Sequence, residues 1–588
     1  MQEGSKIKER IKSSNIGNIL RKGKHRLERY KSRILPKGAD ALRLAYAGYY
    51  TNCNVDDTMI LYEAYAGRGM LCSPYAIFKM FQKRSDFNSY KHVWVVEKSE
   101  QKIDLMKQYT QPNVRFVIRD SEEYCKCLCT AKFLINNLSF PNYFTKKDDQ
   151  IYINTWHGIP LKTLGFDVPG GRITGLNTIR NFLSVDVFLS PNHFMTECFQ
   201  HAFLLDGVYE GYIMESGMPR NDNLFHTDRK KVIQNLRRCG VEIDEAKKLI
   251  LYAPTWKGKQ YSNPDTSTEL YFRLMEEVEK NVDTNEYQIL VKPHQIVYKH
   301  IVEKGEKITN KFIPATIDTN EILSIVDILI SDYSSIYFDY LASRKPILFY
   351  IPDLQDYQEQ RGLYFGLDKL PGPITQNLEE LGGLLKNLPA ALAPYKEKYE
   401  RERKWACGND DGKVCERVIE KIIVQQDFSG LITCDHKSKK KILLYSGDLQ
   451  PGKTRSDLEN WINSLNYDKY DVTLIVPHTA TENVLDWIRS VDSRVRVLRR
   501  TGKIAVTANN YKNADILEKE LISEKEYKQD KKAELIELCK IEMRRTVGQI
   551  HFDYVMDFSG CSVYYQNLFS FLQGAEIVSM EQLQAMLK

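Results

Sequence analysis

The sequence predicts an α/β chain with two Rossmann-like units facing one another across a cleft. A third Rossmann-like segment follows them, and a basic helical arm precedes them. Three observations predict this. Short apolar runs recur and end in polar or Gly-containing turns, the pattern of buried parallel strands that feed βα turns. Helical patterns separate the runs, which suits right-handed parallel crossovers. The whole unit then restarts near Leu249 and again at Ile442, the second time after the charge run Lys437–Lys441 (KSKKK), read as a linker.

Taken in order, residues 1–44 carry Ile7, Ile11, Ile16, Ile19, Leu20, Leu27 and Ile34 at loosely helical spacing among thirteen Lys or Arg and four Asp or Glu. The net charge of +6 therefore resides in this arm. A solvated helix, a nucleic-acid arm and an interfacial helix on anionic lipid all fit such a pattern. No nucleic-acid module follows, so the expected partner is an anionic membrane surface and not nucleic acid.

Residues 45–205 form the first unit, with strands expected at 58–62, 92–96, 114–118, 132–135, 150–154 and 185–189. Residues 206–430 form the second, with strands at 249–252, 288–291, 325–330 and 347–350 and helices near 376–390 and 393–424. Residues 440–588 form the third, with strands at 442–445, 471–477, 494–498 and 553–557 and a charged helical stretch over 513–546.

Composition excludes some classes. At 588 residues, 43% hydrophobic and 27% charged, the chain is globular, and no eighteen-residue apolar run offers a transmembrane helix. The N-terminus lacks the apolar core of a secretory signal. The twelve cysteines are scattered, which points to a reducing cytoplasm. Cys125, Cys127 and Cys129 alternate along an expected strand edge without the further ligand a structural metal site needs.

Candidate chemistry lies at strand ends. Ile325–Ile330 feeds Ser331-Asp332-Tyr333-Ser334-Ser335 and then a short helix from Ile336. Two hydroxyls and free N–H groups there suit a phosphate, although the same residues also make an ordinary N-cap. His157, beside Gly158, follows one strand, and Lys292-Pro293-His294 follows another in the opposite unit. Imidazoles so placed suit proton transfer near neutral pH. Arg220, in Gly217-Met218-Pro219-Arg220, can reach a phosphate or a carboxylate, or simply stand in a surface turn.

In this order NTWHGIPLKTLG, SPN, GMPRND, LYAPTW, VKPH and SDYSSIYFDYLASRKPILFY resemble the CDP-glycerol glycerophosphotransferase family, the teichoic acid primases and polymerases. The resemblance spans about residues 50–425. It implies a GT-B-like fold, a CDP-alditol donor in the cleft, and transfer of glycerol phosphate (or ribitol phosphate) to a hydroxyl of a lipid-linked acceptor. The product would be a teichoic acid or capsule-like polymer, with release of CMP, on the cytoplasmic face of the membrane as a peripheral protein. Carried over residue by residue, His157 is the catalytic base. His294 binds the pyrophosphate and steadies the CMP leaving group. Ser334 and Ser335 hold the diphosphate, and Asp332, Arg220, Lys292, Gly158 and Thr255 lie in the matched motifs. No cofactor beyond the CDP-alditol is required by the sequence, and metal dependence stays open.

Gly447–Thr454 (GDLQPGKT) satisfies the P-loop pattern after a strand and before a helix, yet only Asp557 offers a second magnesium ligand. The segment also resembles the N-terminal half of a GT-B glycosyltransferase. On that reading the chain stops at Lys588, where a nucleotide-sugar half would begin, so the segment is either truncated or a remnant without sugar transfer. Two rivals stand beside the phosphotransferase: a GT-B nucleotide-sugar glycosyltransferase for envelope polysaccharide, and a lipid-surface scaffold whose third segment recruits partners.

Overall fold

The computed structural model describes residues 38–168, 171, 175–256, 268–305, 308–352, 362–434, 438–477, 481–507 and 510–586. Most of the basic arm, residues 1–37, lies outside them. Its last residues enter the helix Ala39–Asn52, which buries Arg43, Leu44, Tyr46 and Ala47.

Three sheets, parallel but for one edge strand, organise the described residues. The first contains β1 (Asp56–Glu63), β2 (Lys91–Val96), β3 (Val114–Ile118), β4 (Ala131–Asn136), β5 (Ile151–Asn154), β6 (Val187–Ser190) and β7 (Tyr212–Glu215). The second contains β8 (Lys248–Ala253), β9 (Tyr287–Val291), β10 (Ile328–Ser331), β11 (Ile347–Tyr350) and β12 (Ile374–Thr375). β13 (Ile432–Thr433) returns to the first sheet, antiparallel to β7. The third contains β14 (Lys440–Tyr445), β15 (Tyr470–Val476), β16 (Arg496–Arg499), β17 (Tyr554–Asp557) and β18 (Glu576–Ile577). The strand orders are 13-7-6-5-4-1-2-3, 12-11-10-8-9 and 16-15-14-17-18. In each the first strand is internal and the order reverses beside it, as in doubly wound sheets.

Central strands such as β2, β4 and β8 are apolar on both faces because helices cover both. The helical residues Val414, Cys415, Val418, Ile419, Ile422 and Ile423 pack back into the core of the first unit. With β7 they belong to that unit's body, although the sequence partition at residue 206 groups them with the second. In the opposite direction, Ile159 and Leu161 enter the core of the second unit. Lys162 makes a β-bridge to Leu363 there.

Several expectations are corrected. Cys125, Cys127 and Cys129 lie on the helix Glu122–Thr130 and are buried, not on a strand edge. The Ser121 side chain accepts from Tyr124 N–H, and Glu122 and Glu123 fill the first turn, so local capping decides for helix. The stretch 513–546 is two helices, Tyr511–Lys519 and Gln529–Val547. The linker ends early, because Lys440 and Lys441 already belong to β14.

The third unit is fastened to the first. One apolar cluster contains Phe182, Leu183, Phe203 and Leu205 together with Leu443, Leu538, Val547 and Phe552. Arg496 donates to the carbonyls of Leu204 (2.5 Å) and Asp206 (3.2 Å). Arg180 donates to the carbonyl of Arg545 at 3.1 Å, and Arg545 to that of Asn142 at 3.1 Å. At Gly548, with φ +67°, a Cβ would stand 2.3 Å from the Leu183 carbonyl oxygen, so the two backbones meet where only glycine fits. Among the described residues no helix is long and apolar enough to cross a membrane.

Candidate active site

The carboxyl ends of β4 and β5 build one wall of the cleft. Asn154 Oδ1 accepts from Trp156 N–H at 2.9 Å, and Thr155 N–H donates to the Asn136 carbonyl at 2.8 Å. Between these ties Trp156 takes φ +47°, a left-handed conformation costly for an aromatic residue. Its indole is held edge-on by Phe182, Phe199 and Phe203. This strained turn aims His157 into the cleft.

His157 Nδ1 lies 3.1 Å from the Asn137 carbonyl oxygen. A carbonyl only accepts, so Nδ1 carries the proton and Nε2 presents its lone pair. Burial first, and then the nearby Arg220 charge, pushes the imidazole down to about 4. At neutral pH the ring is therefore a neutral imidazole whose Nε2 lone pair can act as a base.

The other wall comes from β8, β9 and β10. His294 ends the turn after β9 and caps the helix Gln295–Lys304, its Nδ1 accepting from Ile296 N–H at 3.3 Å. The proton then sits on Nε2, opposite to His157. Burial, followed by Lys162, Arg68 and Lys292, pushes His294 down to about 4 as well. Of two neutral histidines, one thus offers an acceptor nitrogen and the other an N–H donor.

Asp332 is 2% exposed, and its Oδ1 accepts from Thr255 N–H (2.8 Å) and Ser334 N–H (3.1 Å). It joins the turns after β8 and β10 and so sets the position of Ser334 and Ser335. The helix that follows is short, Ile336–Tyr340. Thr255 is buried, and its hydroxyl accepts from Lys162 of the opposite wall at 2.9 Å. Lys292 Nζ lies 3.4 and 3.3 Å from the carbonyls of Pro314 and Ile317, and burial pushes it down to about 8.

Arg220 is committed to a neighbour. Its guanidinium donates to both Asp339 oxygens, at 3.3 and 2.7 Å, and to Cys72 Sγ at 3.2 Å. Burial works against the charge, but Asp339 prevails and holds Arg220 charged. Gly158, with φ +126°, leaves room for it, because a Cβ there would stand 2.5 Å from Arg220 Nη2. Arg220 and Gly158 thus share one packing contact directly beside His157.

Two adjoining cavities, of about 530 and 220 Å³, share His157, His294, Ser334 and Ser335 in their walls. The larger also meets Arg220 and Lys292, the smaller Gly158 and Thr255. Of the sequence-derived site residues, only Asp332 stands behind the walls. Sequence reasoning missed Arg68, whose Nη1 reaches Gln295 Oε1 at 3.3 Å across the cleft. It also missed Asp318, whose Oδ2 accepts from Cys72 N–H at 2.6 Å, and Lys162. Lys162 stands within a motif already noted, and Arg68 between two glycines after β1; Asp318 follows no strand and gave no comparable signal. Among the described residues no group of three or more His, Cys, Asp or Glu could hold a metal ion.

A paired α/β cleft with a neutral base, a neutral N–H donor, hydroxyls and lysines is the site of a group-transfer enzyme acting on an anionic donor. The model of the CDP-Glycerol:Poly(glycerophosphate) glycerophosphotransferase family matches residues 46–424, and the chain belongs to that family. It is 31% identical over 367 residues to a teichoic acid poly(glycerol phosphate) polymerase of Bacillus spizizenii, covering 60% of this chain and 89% of the relative. It is 30% identical over 374 residues to a teichoic acid glycerol-phosphate transferase of Staphylococcus aureus, covering 62% of this chain and 92% of the relative. Among solved structures, a variant of the wall teichoic acid polymerase TagF superposes with a TM-score of 0.56 at 28% identity, covering 68% of this chain and 97% of that one. Another TagF variant, with a histidine changed to asparagine and soaked with CDPG, superposes equally well.

Proposed function

We propose that the chain transfers glycerol phosphate from CDP-glycerol to a hydroxyl of a lipid-linked acceptor in teichoic acid synthesis. One observation carries this reading beyond family membership: two neutral histidines of opposite tautomer share the walls of one cleft with Ser334 and Ser335. In the proposed step His157 Nε2 takes the proton of the acceptor hydroxyl as its oxygen attacks the β-phosphorus. The bond from that phosphorus to the bridging oxygen breaks, and CMP leaves with the electron pair. His294 Nε2–H, the Ser334 and Ser335 hydroxyls and Lys292 stabilise the charge that shifts onto CMP.

Arg68 and Lys162 add positive charge across the donor site, while Arg220, Gly158, Asp332 and Thr255 hold its shape. The step uses no cofactor beyond the CDP-alditol, and transfer in the presence of a chelator checks this. Family membership over the motif-bearing units favours phosphotransfer over the sugar-transfer and scaffold readings. The test is transfer of labelled glycerol phosphate to a lipid-linked acceptor. Replacing His157 by Ala is expected to cost about 10²–10⁴-fold in turnover with donor binding kept. Replacing His294 by Ala is expected to lower both turnover and donor affinity. Two variants as active as wild type would sink the assignment.

For the arm ahead of the helix Ala39–Asn52, residues 1–37 with twelve basic and three acidic residues, the reading is attachment to an anionic membrane surface on the cytoplasmic side. Co-sedimentation with anionic vesicles, absent with neutral ones, is the expected result. Equal binding to both would refute it.

A further inference from the structure

The family match ends at residue 424 and assigns nothing to the third unit. That unit has a cavity of its own, of about 360 Å³. β14 lies inside the sheet, with β15 and β16 to one side and β17 and β18 to the other. Such a reversal opens a crevice outside the carboxyl ends of the strands, where doubly wound sheets take ligands. Tyr445 from the end of β14, Arg500 just past β16 and Ser562 past β17 converge on the cavity from those ends.

Its walls are chemically defined and held in place. Tyr445 stacks on Tyr565 with ring centroids 3.9 Å apart, and the Arg500 guanidinium lies 4.3 Å from the Tyr564 ring centroid. Glu518 stands 3.8 Å from that guanidinium. Tyr564 cannot turn, because its hydroxyl donates to Glu542 at 3.0 Å and Arg545 holds Glu542 at 2.7 Å. Asp557 fixes the loop after β17 by accepting from Ser559 N–H (3.1 Å) and Ser562 N–H (2.7 Å). The P-loop-like stretch Gly447–Thr454 is not in the lining. Gly447 serves a different purpose: a Cβ there would stand 2.7 Å from Ser559 Cβ, so the glycine lets two loops approach.

The geometry points to a second small-molecule site in the third unit, for a ring compound that carries one phosphate. The ring lies against the Tyr445–Tyr565 stack, and the phosphate meets Arg500 and the Ser562 hydroxyl. The volume lies within the usual range for small ligands. Sugar phosphates and nucleoside monophosphates share this chemistry, and the test separates them.

The full-length protein, with CDP-glycerol saturating the cleft between the first two units, is titrated calorimetrically with glucose 1-phosphate, UMP, glucose and inorganic phosphate. Glucose 1-phosphate or UMP is expected to bind with a Kd below about 1 mM, and which one binds names the class. Arg500→Gln, and independently Tyr445→Leu, are expected to weaken that binding about tenfold or more while glycerol phosphate transfer is unchanged. The proposal is overturned if neither ring phosphate binds, if inorganic phosphate binds as tightly, or if binding survives both substitutions.

Discussion

Gly158→Ala is the sharpest perturbation the site offers. The new Cβ would lie 2.5 Å from Arg220 Nη2 and 3.6 Å from its Cζ. Relief needs a shift of about 1 Å, to reach an ordinary contact near ~3.5 Å. The atom that must move is not free to swing, since Nη2 sits 2.7 Å from Asp339 Oδ2 within a buried two-pronged pair. Disrupting such a pair costs up to about 3–5 kcal/mol, and a side chain at φ +126° adds roughly 1–3 kcal/mol. Partial relaxation brings the expected loss of stability to about 2–4 kcal/mol. His157 is the next residue, and a displacement of about 1 Å there is expected to lower kcat on the order of 10²-fold. Thermal unfolding and labelled transfer are measured together. A variant with an unshifted Tm and turnover within about twofold of wild type would refute the packing argument.

Other expectations concern charge and architecture. His157 and His294 are both pushed down to about 4, so the base form of His157 persists where an ordinary imidazole is protonated. The acid limb of kcat/KM is expected nearer pH 4–5 than ~6.5, and a limb centred at ~6.5 would contradict the buried tautomers. Because these folded-state values lie below the unfolded one, their stabilisation is complete above the unfolded pKa and fades as pH falls from ~6.5 towards the folded value; a denaturation series across that window checks the sign. Lys162→Ala removes the 2.9 Å bond to Thr255 and a charge beside His294, so a KM for CDP-glycerol raised about tenfold with little change in Tm is expected. An unchanged KM would take Lys162 out of the donor site. Deleting residues 438–588 exposes the apolar surface around Leu183 and Phe203 and is expected to leave an aggregating remainder. A monodisperse, fully active remainder by size exclusion would contradict the shared core.

What the sequence made legible is what local pattern encodes. Ile347–Tyr350 is read with the right bounds because four apolar or aromatic residues bounded by turns have few other uses, whereas the run expected at 325–330 is strand only over Ile328–Ser331, since Ile325 closes the helix Thr319–Ile325. His157 and His294 are found because strand ends and adjacent Gly or Pro mark them. The Cys125–Cys129 stretch is misread because its alternation imitates a strand, while the decisive helix signal, Ser121 with two glutamates, stands just upstream. Pairings distant in the chain leave no such trace. From its turn Arg220 reads equally as a ligand for a phosphate or carboxylate and as a solvated surface residue, and only the fold shows that the carboxylate is Asp339, 119 residues further on. The third unit shows the same limit on a larger scale. Arg180 and Arg545 carry no local mark in the sequence, yet each is 1% exposed at the junction, satisfied by carbonyls and by Glu542. Two buried arginines side by side are tolerable only while every donor keeps its acceptor. The junction therefore cannot slip or open locally without a large penalty, and the third unit is better understood as part of the first unit's core than as an appended domain.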